Sequence, residues 1–274
     1  MFKYLLFLVL SFSISGNNSY ACSVLYYIDK ITGKIYVANN EDYWYDVKSY
    51  IQIEPGSKNK LARLWYGWDN FAQGGINEAG LFFDGAVTPD QKVPENYNKP
   101  EGNLGDEILS KCKTVKEAIA LLEVKKIVLS NAHMMLGDST GYAVVLEWID
   151  GERKIHPIQD NMLIMTNFLL SDPSAGNHPC PRFNAIESSL KKPTKENDTL
   201  NLLMVGNTLA QAVQPPTKNG EGRTGGTLYS TFIDVSEMEF VLVYKLDNLN
   251  ITKLNLKEEF AEKSKRKIKL KSKT

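Results

Sequence analysis

Residues 22–42 read Cys22-Ser23-Val24-Leu25-Tyr26-Tyr27-Ile28-Asp29-Lys30-Ile31-Thr32-Gly33-Lys34-Ile35-Tyr36-Val37-Ala38-Asn39-Asn40-Glu41-Asp42, and they decide the fold. Two runs rich in Val, Ile and Tyr, 22–27 and 34–39, flank the turn-forming stretch Asp29 to Gly33, which predicts a β-hairpin. Folding about residue 32 sets opposite each other positions whose numbers sum to about 64, so Asp42 is expected across from Cys22. A carboxylate there can hold the α-amine of a chain that starts at Cys22 and fix it relative to the thiol. An α-amine titrates near 7.7–8.0 and a cysteine near 8.5, so the amine is matched to take the thiol proton at neutral pH. One residue would then supply nucleophile and base. The same spacing also fits a buried free cysteine opening a strand and an aspartate capping a turn.

Upstream of the hairpin, Lys3 precedes the apolar run Tyr4 to Leu10, and a small and polar stretch ends in Ser19-Tyr20-Ala21. This pattern predicts a signal peptide over 1–21, cleavage before Cys22, and an exported product, periplasmic or extracellular. The apolar run is shorter than the roughly 20 residues that a membrane-spanning helix needs. A cysteine directly after a small residue is also how bacterial lipoproteins begin, which gives the alternative of a surface lipoprotein that binds rather than catalyses. Ser19 and Tyr20 stand where a lipobox prefers an aliphatic and a small residue.

Lys+Arg and Asp+Glu number 32 each among 274 residues, with 43% hydrophobic residues, so the charge balance points to no nucleic acid partner. The catalytic domain is expected over 22–256. Residues 257–274 hold eight Lys/Arg against three Glu, which sets them apart as a basic C-terminal tail able to touch an anionic surface. Three cysteines, Cys22, Cys112 and Cys180, are too few for a disulfide scaffold; a Cys112–Cys180 bridge stays open, with Cys22 free. The three histidines, 133, 156 and 178, lack metal-ligand spacing, so no metal site is expected.

Further strands are expected at 81–83, 132–136, 142–148, 162–165, 228–233, 239–244 and 251–256. Helices are expected over 106–124, containing the capping box Thr114-Val115-Lys116-Glu117, and over 182–190 and 200–213. Strands on both sides of a central helical region indicate an α+β fold with helices packed on antiparallel sheets.

Several motifs occur in a fixed order: Cys22-Ser23-Val24; Ala38 to Trp44; Gly75-Ile76-Asn77-Glu78-Ala79-Gly80-Leu81; Leu136 to Gly141; Met165-Thr166-Asn167-Phe168; and Thr227 to Thr231. Together they resemble the choloylglycine hydrolase and penicillin V acylase group of N-terminal-nucleophile (Ntn) hydrolases, and the related isopenicillin-N acyltransferases. The resemblance implies an αββα sandwich, two antiparallel sheets between helices, and no cofactor. It further implies a thiolate attack on a linear amide of a small N-acyl compound, giving an acyl-enzyme that passes to water or to an amine. It assigns Cys22 as nucleophile, Asp42 as the carboxylate that positions its amine, Asn167 as an oxyanion donor and the Val87 main-chain N–H as a second donor. Asn39 stands where these enzymes carry an arginine, which leaves an inactive Ntn-fold binding protein as a further alternative. Arg223 is a candidate to replace that charge, and Asn39 a candidate in its own right. Tyr43, Trp44, Trp65, Tyr66 and Trp68 are candidates for an apolar acyl pocket. Acyl and amine groups and oligomeric state stay open, a homo-oligomer among the possibilities.

Overall fold

A computed structural model describes residues 22–176, 178–191 and 201–271; the expected signal peptide lies outside them. In chain order the first half holds β1 (Ser23–Ile28), β2 (Ile35–Trp44), β3 (Tyr50–Glu54), β4 (Arg63–Trp68), β5 (Phe71–Asn77), β6 (Phe82–Val87), α1 (Leu104–Lys111) and α2 (Val115–Val124). Next come β7 (Ala132–Gly137), β8 (Ala143–Ile149), β9 (Glu152–Pro157), β10 (Met162–Met165), α3 (Pro181–Lys191) and α4 (Leu202–Ala210). The chain closes with β11 (Thr217–Lys218), β12 (Thr224–Asp234), β13 (Glu239–Tyr244), β14 (Ile251–Asn255), α5 (Leu256–Ala261) and β15 (Arg266–Lys269).

These strands form two antiparallel sheets. One is ordered β10-β1-β2-β12-β13-β14, with β11 added to β12, and the other β15-β3-β4-β5-β6-β7-β8-β9. Alternation along each strand assigns the layers. Val24, Tyr26 and Val37 of the first sheet pack against Tyr66, Ile76, Phe82 and Met135 of the second. Their chain neighbours Leu25, Tyr27, Tyr36 and Ala38 face outward onto Ile186 of α3 and Val205 and Leu209 of α4. On the far side, Trp65, Phe83, Leu136 and Val144 meet Leu104 and Ile108 of α1 and Val115 and Leu122 of α2. The result is an αββα sandwich, as the resemblance implies.

Local chemistry explains where the elements begin and end. Asp29 organises the first hairpin by accepting from Ile31 N (3.0 Å) and Thr32 Oγ1 (2.8 Å), and Gly33 supplies a φ of +71°. The single helix expected over 106–124 is two, because Thr114 leaves the helix to cap α2, accepting from Glu117 N at 3.2 Å. Strands β3, β4 and β5 are absent from the sequence expectations. All six residues of β4 are buried, so no apolar–polar alternation marks it. Its register shifts at Tyr66/Gly67, where a Cβ would lie 2.1 Å from Phe71 O and only glycine fits.

One further expectation is corrected and one open question is answered. Residues 256–269, mostly set aside as a basic tail, fold into α5 and β15, and β15 pairs with β3 from Arg266↔Ile53 to Lys269↔Tyr50. The interleaved apolar residues Ile268 and Leu270 pack at the inter-sheet core, which draws the segment in despite its charge. Cys112 and Cys180 are both free and buried, not bridged.

Candidate active site

Cys22 enters β1 at the edge of the inter-sheet layer and is 6% exposed. The hairpin register runs from Ser23↔Asn40 to Ile28↔Ile35, one residue tighter than expected, so the continuation of β1 faces Glu41 rather than Asp42. The Cys22 thiol donates to Glu41 Oε1 at 3.3 Å. Strand alternation sends Asn39 and Glu41 into the inter-sheet layer with the thiol, while Asn40 points to the helical face, where its Nδ2 donates to Leu209 O of α4 at 3.0 Å.

Asp42 also reaches that helical face. It pairs with Thr227 of β12 just before a register shift, and its Oδ1 accepts from Thr227 Oγ1 at 2.6 Å. Its Oδ2 accepts from Gln214 Nε2 at 2.9 Å and lies 3.7 Å from Arg182 Nη1. Burial pushes the Asp42 carboxyl up to about 7, against the opposing pull of Thr227, Arg182 and Gln214.

Arg182, at the start of α3, is the residue that joins the group. Its Nη1 donates to Cys22 O (2.7 Å) and Ser23 Oγ (2.9 Å), and its Nη2 to Asn167 Oδ1 (3.3 Å). One guanidinium thus contacts Cys22, Asp42 and Asn167, which are far apart in sequence. Sequence reading placed Arg182 in a helix and gave it no role. Its signal was faint: an arginine following Pro181 at a helix start, where a cation is unfavourable against the helix dipole unless it is turned toward an acid.

Asn167 follows β10, and its Nδ2 donates to Val87 O at 2.8 Å, so the structure brings these two candidates together. Val87 is the last residue of β6, with its side chain exposed. Arg223 goes elsewhere: its guanidinium pairs with Asp46 at 2.6 and 2.7 Å and lies 4.5 Å over the Trp44 ring at the surface. The aromatic candidates also divide. Tyr43 stacks on Trp68 (4.6 Å between centroids), and Tyr66 and Trp68 belong to the inter-sheet core, whereas Trp65 packs toward α1 and α2 on the opposite face of β4.

Behind the thiol lies a second acid. Asp84 of β6 is fully buried and accepts from Asn39 Nδ2 and from Tyr66 Oη, each at 2.8 Å. Gly74 makes the space, since a Cβ there would sit 2.1 Å from Asp84 Oδ2. Glu41 Oε2 and Asn39 Oδ1 are buried with no hydrogen-bond partner among the described residues. Burial pushes both carboxyls well up, and for Glu41 the neighbouring Asp84 adds to it. Burial likewise raises the Cys22 thiol, with Glu41 and then Asp42 adding repulsion. Asn39 therefore does not replace the cation that the resemblance leads one to expect; it donates to the buried acid Asp84.

On the other side of the site, Glu147 of β8 gathers the segment that carries Asn167. Its Oε1 accepts from Leu170 N (2.6 Å) and meets His133 Nδ1 (3.1 Å). Its Oε2 accepts from Ser171 N (2.9 Å) and meets His156 Nε2 (3.1 Å). Burial opposes ionisation here too, but the bonds from His133, His156, Leu170 and Ser171 outweigh it and hold the carboxyl well below the usual range.

The fold is similar to that of penicillin V acylase from Agrobacterium tumefaciens, with a TM-score of 0.70 and 20% identity over 91% of each chain. It is also similar to two variants of conjugated bile acid hydrolase from Clostridium perfringens. One, with an arginine replaced by leucine, gives a TM-score of 0.69 and 16% identity over 90% of this chain and 97% of that one. The other, with a cysteine replaced by alanine, gives 0.66 and 16% over 92% and 97%. No protein-family model and no curated protein matches the sequence. The chain thus shares, over nearly the whole of its described length, the αββα fold of a penicillin acylase and a bile acid hydrolase.

Proposed function

We propose that this protein is an exported cysteine Ntn hydrolase of the choloylglycine hydrolase and penicillin V acylase group, cleaving a linear amide of a small N-acyl compound. The observation that carries the reading is the single guanidinium of Arg182 in contact with Cys22, Asp42 and Asn167. Removal of residues 1–21 leaves Cys22 with a free α-amine, which the family resemblance assigns to Asp42 to hold. The thiol is not a preformed thiolate, because burial and two acids raise it. Its proton passes to the α-amine as sulfur bonds to the amide carbon, and the carbonyl electron pair moves onto oxygen. Asn167 Nδ2 and the Val87 N–H donate to that oxygen. The tetrahedral species collapses with cleavage of the C–N bond, the departing nitrogen taking the proton. Water then attacks the thioester carbon and loses a proton to the α-amine, and the tetrahedral species collapses with cleavage of the C–S bond, the sulfur taking the proton back from the α-ammonium as the acid leaves.

The test begins with intact mass and N-terminal sequencing of the exported protein before and after thiol alkylation. An unmodified Cys22 at the N-terminus, alkylated first, supports the reading; a lipid-modified Cys22 or a start elsewhere removes it. Against a panel of N-acyl amides, Cys22→Ser is expected to abolish most turnover and Asp42→Asn to lower it by about 100-fold, the scale of a misplaced reacting group. Unchanged turnover in either variant removes that residue from the mechanism.

A further inference from the structure

His133 of β7 is fully buried, and both of its ring nitrogens face acceptors. Nε2 meets the carbonyl oxygen of Thr166, which can only accept, so Nε2 carries a proton. Nδ1 meets Glu147 Oε1, and the two Glu147 oxygens already accept from the main-chain N–H groups of Leu170 and Ser171. Both ring nitrogens thus face acceptors, an arrangement that a doubly protonated ring satisfies at both ends. The other titratable group in this cluster is His156 of β9, whose Nε2 lies 3.1 Å from Glu147 Oε2 and 2.8 Å from Ser171 Oγ.

The pair spans the two sheets. His133 and Glu147 belong to one sheet, whereas Thr166 and Asn167 continue β10 of the other. His133 holds the carbonyl immediately before Asn167, and Glu147 holds the N–H groups three and four residues after it. On the other flank, His133 is the register partner of Ala86, the neighbour of Val87, whose carbonyl accepts from Asn167. The same ring is therefore attached to the strand of one oxyanion donor and to the segment of the other.

We propose that His133 and Glu147 form a buried imidazolium–carboxylate clamp that sets the position of Asn167 against Val87, as positioning residues that do not touch substrate. This rests on the reading of Asn167 as an oxyanion donor given above. Nothing in the sequence singles the pair out, because the histidines are scattered and Glu147 sits in an otherwise apolar strand.

The first test needs no substrate. In the mature protein labelled with ¹⁵N-histidine, His133 is expected to show two protonated ring nitrogens at pH 7, and a neutral tautomer would overturn the clamp. The second test is a double-mutant cycle on turnover. His133→Gln is expected to lower kcat by up to about 100-fold with KM little changed, the scale of a small misplacement of a catalytic group. It should leave the alkylation rate of Cys22 unaltered. In an Asn167→Ala background the same substitution should cost little more, because its effect runs through Asn167. Full additivity, or an equal loss of Cys22 alkylation, would overturn the positioning role. If Asn167→Ala itself leaves turnover intact, the oxyanion reading fails and the positioning role with it, while the ring-nitrogen result still reports separately on the ion pair.

Discussion

Glu147 and Glu41 are both buried between the same two sheets, yet their surroundings drive them in opposite directions. Glu147 is met by two histidines and two main-chain N–H groups and is held ionised. Glu41 has the Cys22 thiol on one oxygen, no described partner on the other and Asp84 nearby, and it is pushed toward the neutral acid. Burial has the same sign in both places, so the number and charge of the donors decide the outcome. Glu147 is consequently a fixed charge that holds backbone in place. Glu41 is a group whose proton can leave or return, 3.3 Å from the candidate nucleophile.

The contrast can be broken most strongly at Glu147. Glu147→Ala would leave the His133 imidazolium unpaired and two main-chain N–H groups without acceptors. The expected loss is about 3–5 kcal/mol, the cost of stripping one partner from a buried ion pair, read by chemical denaturation. A loss below about 1 kcal/mol, the scale of an exposed pair, would mean that the cluster is not ionic. At Glu41 the opposite sign is expected. Glu41→Gln removes a group that repels the thiolate once it is ionised, so the alkylation rate of Cys22 should rise at the alkaline pH where Glu41 carries charge, on the order of tenfold for a charge in contact. A slower alkylation would show that Glu41 assists the thiolate instead of opposing it.

A third prediction concerns Asp42, whose carboxyl is pushed up to about 7. A folded value above the unfolded one means that the folded state binds the proton more tightly. The contribution to stability is fully present below the unfolded value of about 3.9 and is lost as pH rises through about 7. The stability of the uncleaved protein, measured relative to Asp42→Asn, should therefore fall between about pH 4 and pH 7. In the chain that begins at Cys22 an α-ammonium beside Asp42 would flatten that slope. An identical slope in both forms would separate Asp42 from the new N-terminus.

Legibility from sequence followed the range of the interactions. Runs of apolar and aromatic residues made β1, β7, β8 and β10 visible, and Thr114 with Glu117 marked the start of α2. The ordered motifs around Cys22, Asp42 and Asn167 pointed to the αββα sandwich. β3, β4 and β5 escaped because Gln52, Gly67, Gln73, Gly74 and Gly75 interrupt their apolar runs, and β15 because its charges masked the apolar positions that pack inward. The apolar pocket expected from Trp65 and Tyr66 together could not survive alternation, which sends adjacent strand residues to opposite faces.

By itself, then, the sequence determined the hairpin at Cys22, the strands and helices with strong local signals, and part of the set of residues that could do chemistry, because propensity, apolar patterning and capping are local. The tertiary structure decided which of those residues meet. A one-residue change in register replaced Asp42 by Glu41 opposite Cys22 and turned Asn39 toward Asp84. Arg182 reached Cys22, and Glu147 reached the Asn167 segment, across chain separations that no local pattern encodes. Charges brought together by packing set one another's protonation, so the electrostatics of this site belong to the folded sandwich and not to any one stretch of chain.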